Sequence, residues 1–204
     1  MRSNCPLARR VSIWYTMRHK YDTRGIVLAR TPSGETSATV SVLTRELGLL
    51  RARASGVRKS GAKLAAALST FAESELILVR GRDGWRITGA VLLEPWRARL
   101  GREARERAGR VAALILRLAT GESPDTALFT TLTAFLAALV EGGEIGEPAE
   151  VLAALYALSA LGFSDTTPPS AAGEFFARER LAEVEHDRVK YIARVNQGIA
   201  ASGL

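Results

Sequence analysis

Several things are scarce in this chain, and each scarcity removes a class of function. There is one cysteine, Cys5, so no internal disulfide can form and no cysteine-rich zinc site exists. That usage fits a reducing compartment. There are two histidines, His19 and His186, and they lie far apart in sequence. Glu183 and His186 make a Glu-x-x-His pair, but such pairs serve metals only when several carboxylates converge with them. Apolar runs are short. One of the longest is 111–116 (VAALIL), ended by Arg117, far below the roughly 18 residues of a membrane span. The first 16 residues are basic and hold no continuous apolar stretch of signal-peptide length. They read as an extension, expected to be poorly ordered, ahead of a second methionine at Met17. No G-x-x-x-x-G-K-[ST] loop, G-x-S-x-G elbow or dinucleotide fingerprint occurs. Ser55 and Ser60 precede glycines as turn residues, without a base nearby in sequence. No acidic cluster able to hold Mg²⁺ stands in the first half. The expectation is a protein that is not an enzyme and needs no cofactor.

What the chain does have is uneven charge. The net charge is +7, but residues 1–100 carry 18 Lys/Arg against 7 Asp/Glu, or +11, while residues 101–204 carry 10 against 14, or −4. A basic half and an acidic half imply two modules with different work. The basic half is concentrated in 47–63 (LGLLRARASGVRKSGAK), which holds Arg51, Arg53, Arg58, Lys59 and Lys63 and no acid. Arg51 and Arg53 alternate with Ala52 and Ala54, so a strand sets both guanidiniums on one face. Gly56 and Gly61 then bracket a loop with Arg58 and Lys59. This is what a surface needs to follow a polyphosphate backbone. A solvated basic face that binds nothing in particular has the same pattern.

Short β-type segments fall at 23–29, 37–43, 49–55, 74–79 and 85–93, with one helix-like piece at 63–68. Five strands with a helix between the third and fourth is the order of an OB-fold barrel. After Pro95 the spacing turns helical. Helices are expected over about 104–118, from a Ser123-Pro124-Asp125 cap to Gly142, from Pro148 to Gly162, and finally over 176–201. In the last, Leu181, Val184, Val189, Ile192, Val195 and Ile199 should face inward. The fold class is therefore α+β, with an OB barrel over 17–97 and an α-helical domain over 98–204.

Candidate nucleic-acid-binding residues are Arg51, Arg53, Arg58, Lys59 and Lys63, with Arg80, Arg82 and Arg86 of the fourth-to-fifth hairpin. Trp85 stacks a base or plugs the barrel end, the plug being the plainer role. Phe71 and Trp96 suit a core or a domain interface. Arginines 97, 99, 102, 105, 107 and 110 extend the positive charge, yet Glu103 and Glu106 among them suit a solvated helix face. With few aromatics in the strands, phosphate contacts should dominate affinity.

Residues 23–78 resemble the N-terminal module of the DNA repair protein RecO family. The matching pieces are GIVL (25–28), the pair Gly34-Glu35, VLTRELG (42–48), the A-x-G-x-R-K segment (54–59), and the spacing through Phe71 and Leu76. The LGF of 161–163, closing a helix, is similar to the family's helical domain. The resemblance implies an OB barrel followed by helices, and a non-catalytic, cytoplasmic, nucleoid-associated recombination mediator. Such proteins bind single- and double-stranded DNA, anneal complementary strands and help load recombinase. The implied partners are RecR and, in some members, the acidic-apolar tail of single-stranded-DNA-binding protein. Many members carry a four-cysteine zinc module in the helical domain; this chain has no cysteine after Cys5, and 165–174, the place the resemblance implies for that module, is Pro/Ala/Gly-rich instead. The rival reading is an RNA-binding or adaptor module whose helical domain holds the partner.

Overall fold

The structure is a computed structural model; it describes residues 19–56, 63–119, 121–123, 125–141 and 146–203. The expected extension at 1–16 lies outside the described residues.

Five strands form first: β1 (Lys20–Pro32), β2 (Ala38–Thr44), β3 (Gly48–Ala54), β4 (Ala72–Gly81) and β5 (Gly84–Pro95), with α1 (Lys63–Ala67) between β3 and β4. They close into a barrel in the order β1-β2-β3-β5-β4. This is the OB arrangement expected from strand order. All ladders are antiparallel except β3–β5, which is parallel over Ala52–Trp85, Arg53–Arg86 and Ala54–Ile87.

β1 serves two neighbours, pairing its first half with β4 and its second with β2; Gly25 is opposite Ser74 on one side and Thr44 on the other. A Cβ there would stand 2.8 Å from a Val42 methyl and 2.9 Å from a Leu76 methyl. The barrel interior packs Val27, Val40, Val42, Leu50, Leu76, Leu78, Trp85 and Ile87, the inward positions of period-two strands, with Leu68 just after α1 joining them. Trp85 is 7% exposed and meets the Tyr21 ring edge-on at 5.1 Å. It plugs the barrel end.

The helices follow as α2 (Trp96–Arg99), α3 (Arg102–Leu118), α4 (Thr126–Glu141), α5 (Gly146–Ala160), α6 (Arg178–His186) and α7 (Arg188–Ala201). The Asp125 carboxylate accepts the Leu128 N–H at 2.8 Å and so caps α4. Gly162, at φ +81°, ends α5. No helix among the described residues is long and apolar enough to cross a membrane.

The single helix expected over 176–201 is two helices. The chain breaks at Asp187 (φ −103°, ψ 31°). The break resets the helical phase, so Val189 points out, 84% exposed, while Tyr191 and Gly198 take the inward positions. Tyr191 spans the break by donating its hydroxyl to Glu183 at 2.6 Å.

A second core joins barrel to helices. Ile26, Leu28, Leu43, Phe71 and Trp96 pack in one cluster with Val111, Ile115, Leu132, Phe135, Leu155 and Tyr156. Phe71 and Trp96 thus sit at the junction. The buried carboxylate of Glu73 accepts the Trp96 indole N–H at 2.9 Å and pairs with Arg24 at 2.8 Å. The α3–α4 loop fastens the two parts. Gly48 (φ +72°) lies so close to it that a Cβ would stand 2.0 Å from the Ser123 carbonyl oxygen.

Two outcomes follow. Gly48→Ala should lower stability by at least about 2 kcal/mol, through left-handed strain plus a backbone clash. Gly84→Ala, also at positive φ but with open space around it, should cost only the strain, about 1 kcal/mol. Equal losses in denaturant unfolding would refute the close approach. Burial, and then the bond to the Glu183 carboxylate, push the Tyr191 hydroxyl up to about 12. The native state holds this proton more tightly than the unfolded chain. Its contribution is therefore full below about pH 10 and fades as pH rises toward 12. A late-titrating tyrosinate absorbance that Tyr191→Phe removes is the check.

Candidate nucleic-acid interface

In β3, Leu50, Ala52 and Ala54 face inward and Arg51 and Arg53 face out, both exposed. Sheet register decides their neighbours. Arg51 stands opposite Ser41 and Arg53 opposite Thr39 on β2, with Thr31 of β1 opposite Thr39 in turn. Arg53 is also directly beside Arg86 across the parallel β3–β5 contact. Directly paired residues share a face. One row thus reads Thr31, Thr39, Arg53, Arg86, with Ser41 and Arg51 next to it.

Among the described residues Arg51 and Arg53 make no ion pair, while Arg86 makes a long, solvent-exposed one with Asp83 at 3.9 Å. Like charges at opposed sheet positions repel. Three cations held on a rigid ladder beside hydroxyls therefore favour an anion across them. The β2–β3 face with the β1–β2 and β4–β5 loops is the surface OB folds use for oligonucleotides.

The remaining candidates separate. Arg82 sits exposed in the β4–β5 turn, without an ion pair among the described residues. Arg80 is engaged elsewhere. It pairs with the Glu122 carboxylate from the α3–α4 loop and lies 5.3 Å over the Trp85 ring. The Trp85 indole N–H donates to the same carboxylate at 2.8 Å. Arg58 and Lys59 lie outside the described residues. Lys63 opens α1, and its side chain too lies outside the description.

The arginines after Pro95 are mostly occupied. Arg107 and Arg110 both reach Glu150 of α5, at 3.1 and 2.6 Å. Arg99 pairs with Glu94 at 3.2 Å and Arg102 with Glu106 at 3.3 Å. They tie helices or dress a solvated face. No group of three or more His, Cys, Asp or Glu among the described residues is placed to hold a metal.

The hydroxyls of Thr31, Thr39 and Ser41 went unassigned from sequence, although the alternation of β2 carried the signal. Nothing in the sequence signalled Glu122. Nor did it reveal a cleft of about 450 Å³ between barrel and helices. Its lining includes Phe129, Ala134, Ala137 and Phe176, with Arg24, Arg45, Glu73 and Glu141 among them.

Closed barrel, β3–β4 helix and exposed arginine row together define an OB-fold domain coupled to a helical one. The family model described as recombination protein O N terminal matches residues 17–96. The chain is 33% identical over 141 residues to the DNA repair protein RecO of a Cyanothece species, covering 68% of this chain and 46% of that protein. It is 32% identical over 122 residues to that of Dehalococcoides mccartyi, covering 59% and 48%. For Rubrobacter xylanophilus the figures are 33% over 124 residues, covering 61% and 50%. The matched part spans about half the length of these relatives. Residues 17–96 thus match the N-terminal module of recombination protein O, and the chain is similar to DNA repair proteins RecO over about half their length.

An anion that bridges the arginine row should stabilise the fold. A short inorganic polyphosphate, compared with chloride at equal ionic strength, is expected to raise the melting temperature by a few degrees. Arg53→Ser/Arg86→Ser should lose most of that gain. An undiminished gain in the double variant would place the anion elsewhere.

Proposed function

We propose that this protein is a non-catalytic DNA-binding mediator of recombinational repair. The observation that carries the reading is the row of Arg51, Arg53 and Arg86 on one outward face of a RecO-type barrel, the first two without an ion pair among the described residues. Arg82 adds to it from the β4–β5 turn, and Arg58, Lys59 and Lys63 are assigned to the same binding set from sequence. Arg80 joins it when its pairing with Glu122 is released. Phosphates of either single- or double-stranded DNA satisfy these cations without regard to sequence, and two strands held loosely on one surface can find their complements.

The helical part then recruits. RecR and recombinase-loading fit the family's relatives, all of them DNA repair proteins by name. The cleft's apolar wall of Phe129, Ala134, Ala137 and Phe176 suits the apolar part of the tail of single-stranded-DNA-binding protein, with Arg45 the cation nearest to free for its acids, since Arg24 is held by Glu73. Charge-assisted contacts at the edge and apolar burial in the wall supply complementary halves of such an interface.

Annealing of complementary oligonucleotides against salt tests the reading. Affinity for single strands should fall with a log–log slope of about −0.7 for each phosphate neutralised. Arg51→Ala/Arg53→Ala should weaken binding about tenfold or more and flatten the slope by about 1.4. Arg58→Ala/Lys59→Ala should act similarly. Doubles that bind and anneal like the parent overturn the assignment. A strong preference for RNA over DNA of the same sequence would move the role to RNA.

A further inference from the structure

Arg80 and Trp85 stand opposite one another in the β4–β5 ladder, one step before the Gly81–Gly84 pair that ends it. Paired positions share a face. The Arg80 side chain therefore folds over the barrel mouth that Trp85 plugs, with its guanidinium 5.3 Å from the ring centre. Two donors converge there on one carboxylate. The Trp85 indole N–H donates to one oxygen of Glu122 at 2.8 Å, and the Arg80 guanidinium pairs with the other. Further cations lie around the same end of the hairpin. Arg82 is exposed in its turn. Arg86 and Lys20 both stand opposite Val79, on β5 and β1, and Arg86 has Asp83 at 3.9 Å.

The backbone that carries Glu122 is held in place, but its side chain is not. The next residue, Ser123, lies so close to Gly48 that a Cβ there would be 2.0 Å from its carbonyl oxygen. Gly121, just before, takes a positive φ of 85°. The Glu122 and Arg80 side chains are 40% and 56% exposed. Rotation about the side-chain bonds of Glu122 thus frees both donors without moving the loop.

We infer that Arg80 and the Trp85 indole N–H form a phosphate subsite at the barrel mouth, and that Glu122 is its built-in competitor. The inference rests on the reading of this barrel as a DNA-binding surface. The two non-bridging oxygens of a backbone phosphate replace the two carboxylate oxygens, and Glu122 turns to solvent. Its tether keeps the carboxylate at high effective concentration. An exposed ion pair is weak, so Glu122 lowers the hold on DNA without excluding it. It also changes the response to salt. An arginine paired with an internal carboxylate has no solution counterion to release, so a phosphate contact made by this exchange adds little to the salt slope.

The test is a mutant cycle on the full chain: parent, Glu122→Gln, Arg80→Gln and the double variant. Binding of labelled single-stranded DNA is followed by fluorescence anisotropy across salt. Glutamine keeps an acceptor for the indole and removes the charge. Glu122→Gln should bind about fivefold tighter than the parent at about 50 mM salt but only about twofold tighter at about 200 mM, its slope steeper by about 0.7. Arg80→Gln should change the parent's affinity by less than about twofold, yet cost about fivefold when Glu122 is already glutamine. Effects that simply add around the cycle would show Glu122 to be one more negative charge, and would overturn the inference. So would a Glu122→Gln variant that binds no tighter than the parent. If none of the four proteins binds DNA, the reading of the barrel falls and the inference with it. If Arg51→Ala/Arg53→Ala weakens binding while the cycle stays additive, the inference falls alone.

Discussion

Three residue pairs close this barrel. The parallel contact of Ala52–Ala54 on β3 with Trp85–Ile87 on β5 turns a curved sheet into a cylinder. The β1–β2, β2–β3 and β4–β5 ladders are antiparallel and local and can form as hairpins, while the β1–β4 ladder is antiparallel and, like this contact, long-range. The β3–β5 contact joins strands separated by a helix and a strand, and the interior rewards it. Ala52 and Ala54 are small where Trp85 is large, so the indole fills the end of the cylinder. The same contact sets Arg53 against Arg86. A like-charge pair at opposed positions costs a fraction of a kcal/mol in screened solvent. The buried tryptophan and isoleucine offset it several times over. The fold thus holds in place a repulsion that an anion can relieve.

The helical part covers one flank of the cylinder and leaves the arginine row open. Ile26, Leu28 and Leu43 of β1 and β2 belong to the helices' core rather than the barrel's. The α3–α4 loop reaches further. It lies against Gly48 at one turn and delivers Glu122 to Arg80 and Trp85 at another. Glu122 stands where a phosphate oxygen could, taking both an indole N–H and a guanidinium. The acidic half therefore does more than balance charge, since one of its carboxylates competes for a cation of the basic half.

The strands were legible because each rule is local. Alternation in 37–43 and 49–55, glycine turns at 34, 56 and 84, and the single helical piece at 63–68 together give the OB order. The break at Asp187 was not legible, because apolar spacing runs through it unbroken and only the packing of Tyr191 against Glu183 and the core fixes the new phase. Arg80 and Arg86 read alike in sequence. What separates them is Glu122, some forty residues away, and no pattern in a window of neighbours carries that distance.

The aromatic residues show what kind of binding the arginine row can support. Trp85 and Tyr21 close the barrel end, while Trp96 and Phe71 hold the junction with the helices. Among the described residues none is left on the Thr31–Thr39–Arg53–Arg86 row, so the row itself offers bases no stacking platform. Stacking adds about 1–3 kcal/mol per base and holds a strand in a fixed register. A face of guanidiniums and hydroxyls instead grips phosphates that recur with every nucleotide, so a strand can slide by one repeat at little cost. For a surface proposed to pair two strands and then release the duplex, that looseness is the useful property. A tryptophan on the row would raise affinity and slow the exchange on which annealing depends.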